Sequence, residues 1–174
     1  KHSEETFRAN FPGVPFWNRN IRDVTAREIL DFTGLKEGEL DVFDGSPPCQ
    51  GFSTAGRRRL GDDRNQLYKE YVRLLRGIKP KVFVMENVPG MTTGKMRGIF
   101  LEIMRELRES GYVVNARILN AQHYGVPQHR RRVIFVGVRK DIGIPPAHPS
   151  PSNHVITVWE AIGEMEESGE TRKY

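Results

Sequence analysis

Residues 81–90 read Lys81-Val82-Phe83-Val84-Met85-Glu86-Asn87-Val88-Pro89-Gly90. An apolar run rich in β-branched and aromatic residues, stopped by two polar residues and a Val-Pro-Gly turn, predicts a buried strand over Lys81 to Met85 with a carboxylate just past its end. The flanking sequence decides the kind of sheet. Upstream, Leu67, Tyr68, Tyr71, Val72 and Leu75 recur at helical spacing, and Pro80 stops that helix. Before it, Leu40-Asp41-Val42-Phe43-Asp44 reads as a second buried strand, followed by a turn-rich loop from Gly45 to about Arg64. Downstream, Met96, Ile99, Phe100, Ile103, Met104 and Leu107 fall on one face of a helix over Met96 to Ser110, capped by Gly111. Tyr112 to Leu119 and Val133 to Val138 are two more strands. Short helices are expected at Glu4 to Asn10, Thr25 to Phe32 and Thr157 to Glu164, a short strand at Val14 to Trp17, and irregular chain at Pro145 to Pro151. Strands alternating with helices predict an α/β fold with a mostly parallel sheet. In such sheets ligands sit at the carboxyl ends of the strands.

The 174 residues are one domain's length and enough to bury a core. A mean hydropathy of -0.55, with no run of roughly 20 apolar residues, excludes a membrane-spanning helix. The 17 glycines and 11 prolines are dispersed, which excludes collagen-like and low-complexity chains. The formal charge of +5 is compatible with a nucleic-acid partner. The single cysteine, Cys49, excludes an intrachain disulfide and a cysteine-rich zinc site, and fits a reducing compartment. Lys1-His2-Ser3-Glu4 is polar and reads as the middle of a helix, as expected of a cut edge.

Three motifs fall at or beside strand ends. In Gly45-Ser46-Pro47-Pro48-Cys49-Gln50-Gly51-Phe52-Ser53 two prolines stiffen the approach to the cysteine and a glycine frees the exit. A lone cysteine is commonly a small buried hydrophobe. A thiol at a shaped, polar turn can instead act as a nucleophile where its neighbours favour the thiolate. Glu86, beside an apolar sheet, can retain its proton and donate a hydrogen bond to a substrate nitrogen. In Gln128-His129-Arg130-Arg131-Arg132, strand alternation sets Arg130 and Arg132 on one face and Arg131 on the other. Arginine suits planar, multi-donor recognition of carboxylates, phosphates and base edges. His123 and His129 have no partners at ligand spacing, so no metal is expected.

Taken together, Pro-Pro-Cys-Gln with a following Phe-Ser, then Glu-Asn-Val, then Gln-x-Arg-x-Arg, in this order and spacing, resemble the C5-cytosine DNA methyltransferases. Asp62 to Tyr68, Lys79-Pro80-Lys81 and Tyr124-Gly125-Val126-Pro127 are similar to the family's intervening stretches. The resemblance runs from Glu5 to about Gly163. It implies a Rossmann-like sheet of the S-adenosylmethionine-dependent methyltransferase type, present in part, with helices on both faces. It implies methyl transfer from S-adenosylmethionine to C5 of cytosine in double-stranded DNA, the chemistry of DNA methylation in restriction-modification systems. Cys49 then takes the role of the nucleophile at C6, and Glu86 contacts N3 and the exocyclic amine. Arg130 and Arg132 hold the base and orient the site. The base must leave the duplex stack. Gln50 and Ser53 match DNA-facing positions, and Arg57, Arg58 and Arg59 belong to a loop that can meet phosphates. Pro48 and Leu67 align with positions lining the methionine end of the cofactor. Asn20 and Ile21 align with an Asp-Ile pair at the adenine, with an amide in place of the acid.

The family's glycine-rich cofactor loop and its ribose-binding acid do not occur in this sequence, nor does any segment reading as a target recognition domain. The expectation is that residues 1–174 form a partial catalytic domain, inactive alone. The missing parts would come from flanking segments or a second chain, in the cytoplasm of a prokaryote or the nucleus of a eukaryote. Two other readings are an RNA cytosine-C5 methyltransferase of the tRNA-modifying branch and a non-catalytic nucleic-acid-binding fragment. The first is disfavoured because Gly51-Phe52-Ser53 replaces that branch's Pro-Phe-Thr and no Cys-Phe-Thr occurs.

Overall fold

A computed structural model describes residues 2–48 and 67–163. Four strands form one sheet in the order β1-β2-β4-β3. They are β1 (Val42–Gly45), β2 (Val82–Asn87), β3 (Tyr112–Asn120) and β4 (Arg131–Arg139). The helices are α1 (His2–Asn10), α2 (Ala26–Thr33), α3 (Leu67–Ile78), α4 (Arg97–Glu109) and α5 (Val158–Ile162). β1 and β2 are parallel, with α3 between them in the chain, whereas β4 runs antiparallel to both β2 and β3. The sheet is therefore mixed, and the expectation of a mostly parallel sheet holds only for the first pair. The cause is connection length. A parallel return needs a crossover of a dozen or more residues. Residues 121–130 are too few, so β4 turns back antiparallel beside β3.

The core lies between one face of this sheet and helices α3 and α4. Phe83 and Met85 of β2, Val133 and Phe135 of β4, and Tyr112 and Val114 of β3 meet Tyr71, Val72 and Leu75 of α3 and Ile103, Met104 and Leu107 of α4. Helices had been expected on both faces. Among the described residues the core-forming helical layer is on one, and Val82, Val84, Ile134 and Val136 on the other face are half-buried. β1 is an edge strand with alternating exposed and half-buried residues, not the buried strand expected. Tyr71 closes the parallel pair from below. Its hydroxyl donates to Phe43 O (3.2 Å) and Val84 O (3.1 Å), and burial pushes the phenol far above its ordinary range, so the proton stays.

Val14–Trp17 is irregular. Pro15 supplies no backbone donor, and the segment is held instead by Phe16 on Phe7 and Trp17 on Phe32. α2 starts and stops as its sequence dictates, with a capping box between Thr25 and Glu28 and a left-handed Gly34 at its end.

Gly137 interrupts the otherwise β-branched and aromatic β4 because the Phe83 ring lies across it, where a Cβ would have to sit. Alanine in a strand interior gains roughly 0.5–1 kcal/mol over glycine, whereas overpacking a filled core costs about 1–3 kcal/mol. Overpacking wins. Gly137→Ala is expected to lower stability by about 1 kcal/mol in urea unfolding, and an unchanged or raised midpoint would show that the ring is free to move aside.

Candidate active site

Glu86 and Asn87 are the last two residues of β2, paired in register with Ile134 and Val133 of β4. In that register Arg132 is the same-face diagonal neighbour of Glu86, within reach of a long side chain. Its Nε donates to Glu86 Oε1 at 2.6 Å, with the side chains 26% and 32% exposed. The expectation of a carboxyl against an apolar surface is thus corrected. The nearest group is a guanidinium, placed there by the antiparallel return of β4. Arg130 precedes β4. Its backbone N–H donates to Asn120 Oδ1 at 3.1 Å, and Arg130 is exposed.

Asn87 is 3% exposed, the one buried polar residue among the described positions. Its Nδ2 donates to Pro47 O (3.2 Å), and its Oδ1 accepts from Val88 N–H (2.8 Å). One amide therefore ties the end of β2 to the loop after β1, two residues before Cys49. Sequence reasoning gave Asn87 no role, although a polar residue at an inward strand position signals a buried amide. Cys49 itself, with Gln50, Ser53, Arg57, Arg58 and Arg59, lies outside the described residues.

Beside this loop is a cavity of about 420 Å³. Its walls are the end of β1 with Asp44, Ser46 and Pro48, the α3 residues Leu67, Tyr71 and Leu74, and the segment carrying Trp17, Arg19, Ile21 and Val24. Ile21, Pro48 and Leu67, far apart in sequence, thus line one space. Asn20 is not in its wall. Its side-chain oxygen accepts from Arg22 N–H at 3.1 Å and caps the 3₁₀ turn Ile21–Asp23. Asp44 and Trp17 are additions that sequence reasoning did not single out. Among the described residues no group of three His, Cys, Asp or Glu is arranged to hold a metal ion, and no helix is long and apolar enough to cross a membrane.

A mixed α/β sheet with a cavity at a strand end and the Pro-Pro-Cys-Gln, Glu-Asn-Val and Gln-x-Arg-x-Arg order are the marks of a Rossmann-like methyltransferase fold. The chain belongs to the C-5 cytosine-specific DNA methylases, whose family model matches residues 1–173. It is 44% identical over 158 residues to the type II methyltransferase M.XorII of Xanthomonas oryzae, covering 90% of this chain and 37% of that protein. It is 39% identical to M.AquIA of Picosynechococcus, covering 85% of this chain and 64% of that protein. Among solved structures, a DNA modification methyltransferase encoded within an E. coli prophage superposes with a TM-score of 0.76 at 30% identity, over 93% of this chain and 45% of that one. The DNMT2 of Spodoptera frugiperda shares the fold at a TM-score of 0.61 and 24% identity, over 89% of this chain and 44% of that one. The chain thus spans less than half the length of M.XorII and of both solved structures.

Two predictions follow from the contacts around the site. Glu86→Gln and Arg132→Gln each strand a partly buried partner, so the double variant should be less destabilised than the sum of the singles, with a coupling of about 1 kcal/mol in urea unfolding. Strictly additive costs would mean that the ion pair contributes nothing. Glu28, bound by Arg19 of the cavity wall, is held at about 2 by the Thr25 backbone N–H, then the Thr25 hydroxyl, then the Arg19 guanidinium. A depressed carboxyl stabilises the fold above its unfolded value near 4.3 and loses that contribution as pH falls through about 2. The stability gap between wild type and Glu28→Gln should be full above about pH 5 and shrink toward pH 2. A gap that ignores pH would remove the carboxylate as its source.

Proposed function

We propose that this chain carries the bond-making part of a DNA cytosine-C5 methyltransferase. The observation that carries the reading is the coupling of two strand ends. Asn87 binds the loop leading to Cys49, while the adjacent Glu86 is held by Arg132. A nucleophile and a group for the base's N3 edge would then share one rim, as attack at C6 requires.

In this reading a cytosine swung out of the duplex meets the Cys49 thiolate, which bonds to C6 and drives electron density toward C5. Glu86, oriented by Arg132, places a proton at N3 and accepts from the exocyclic amine, so the ring tolerates that density. Arg130, exposed beside the same rim, contacts the base. After methylation the C5 proton passes to water, the C5–C6 double bond re-forms, the N3 proton returns to Glu86, and the thiolate is expelled, which frees Cys49. Gln50, Ser53 and Arg57 to Arg59 meet the DNA, the arginines at its phosphates.

S-adenosylmethionine is the methyl donor of this family, and when bound it supplies the methyl group as an electrophile. The cavity suits it. At about 420 Å³ it lies within the ~300–1,000 Å³ of small-molecule sites. Its wall is apolar at Ile21, Pro48 and Leu67, with an aromatic face at Trp17 for a purine and a carboxylate at Asp44 for a cationic amino-acid end. Asn20 acts from behind the wall, by capping the turn. The rest of the cofactor site and the target recognition domain would come from segments outside residues 1–174 or from a second chain, and the setting would be the cytoplasm.

The test is trapping on DNA with 5-fluorocytosine at the target. The complete protein should form a covalent complex that resists denaturation. Cys49→Ser should form none, and the isolated 174-residue chain should leave the DNA unmodified. An adduct in the serine variant would remove Cys49 as nucleophile.

A further inference from the structure

The Ile21–Val24 turn is one wall of the cavity, yet apolar packing hardly holds it. Ile21 is 42% exposed, and Val24, 7% exposed, is the one buried residue between α1 and the end of α2. Its place is set by hydrogen bonds to its carbonyls. Arg73, on α3, donates from Nη2 to Ile21 O at 3.0 Å and to Val24 O at 2.8 Å, across 52 and 49 residues of sequence. Its Nε is held by Glu70 Oε2 at 2.7 Å, one turn earlier on the same helix. α3 also supplies the facing wall through Leu67, Tyr71 and Leu74. Where α2 packs on α3 through Ala26 against Gly77, the guanidinium of Arg73 is the polar tie between the two walls.

We propose that Arg73 is a positioning residue for the methyl donor, holding the Ile21–Val24 turn at the distance from α3 that the adenosyl group requires. This rests on the cavity being the cofactor site. The chemistry calls for arginine. A planar fork can serve two carbonyls and a carboxylate at once, whereas a lysine ammonium has a single nitrogen at the end of a flexible stem. Glu70 adds direction, since it fixes the Nε side of the fork and turns Nη2 toward the turn.

The test uses the complete protein, with S-adenosylmethionine binding read by calorimetry and steady-state rates read separately. Arg73→Ala should weaken cofactor binding about tenfold and raise its KM similarly. The KM for DNA should stay within about twofold, and kcat at saturating cofactor should fall less than the KM rises. Arg73→Lys should recover part of the loss, to about threefold, and carries the same test should the alanine variant not fold. Ile21→Trp, which fills the cavity, is the control for the underlying reading. If it binds cofactor like wild type, the cavity is not the cofactor site and the proposal falls with it. If it blocks binding while folded Arg73→Ala or Arg73→Lys binds like wild type, the positioning role alone is overturned. A loss confined to kcat and thermal stability, with binding intact, would make Arg73 merely structural.

Discussion

The ten positions between β3 and β4 are the constraint on which the rest depends. They are too few for a parallel crossover, so β4 returns antiparallel and pairs with β2 on its other side. That single reversal has two consequences. It makes β4 the central strand of the β2–β4–β3 unit, with the Phe83 ring laid over Gly137. It also sets the amino-terminal end of β4, where the arginines are, against the carboxyl-terminal end of β2, where the glutamate is. In a parallel arrangement both strand starts would lie at the same edge, and Arg132 would be a strand's length away from Glu86.

Strand alternation then sorts the arginine run. Arg132 points to the face of Glu86 and is committed to it. Arg131 pairs in register with Asn120 on the opposite side of the strand, and Arg130 is left outside the ladder with an exposed side chain. Three identical residues in sequence thus have three different situations. For electrostatics, one charge of the run is neutralised within the protein at 2.6 Å, and the exposed Arg130 and Arg131 are available to a phosphate or a base.

What was legible in the sequence follows the range of the forces involved. The α2 boundaries were read because a capping box and a left-handed glycine act within four residues. The α3 and α4 faces were read because helical periodicity reports burial directly. The roles given to Cys49, Glu86, Arg130 and Arg132 rest on motif order, and the fold adds to them the contact between Glu86 and Arg132. The antiparallel β4 was missed because periodicity says nothing of direction, and Lys81 to Met85 was ended too early because Glu86 and Asn87 are polar. Their place in the strand is secured by ladder partners on β4, more than forty positions downstream. The partners of Asn87 and Arg73 were missed for the same reason. Each is defined by carbonyls it reaches across the fold, and carbonyls carry no sequence signal.

This last point bears on how the cavity is built. Its walls come from three separated stretches, and side chains donating to backbone oxygen tie those stretches to one another, to β2 and within themselves. Asn87 joins β2 to the Pro47 carbonyl, Arg73 joins α3 to the Ile21 and Val24 carbonyls, and Arg19 joins its own turn to the Asp23 carbonyl at 2.7 Å. Such bonds contribute only about 1 kcal/mol each to stability, so they do not explain why the chain folds. They are directional, however, and apolar packing is not. The one-sided core of α3, α4 and the sheet supplies the free energy. The donors at Asn87, Arg73 and Arg19 fix where the half-exposed loops sit on it, and a ligand site at the strand ends needs that positional definition more than it needs additional stability.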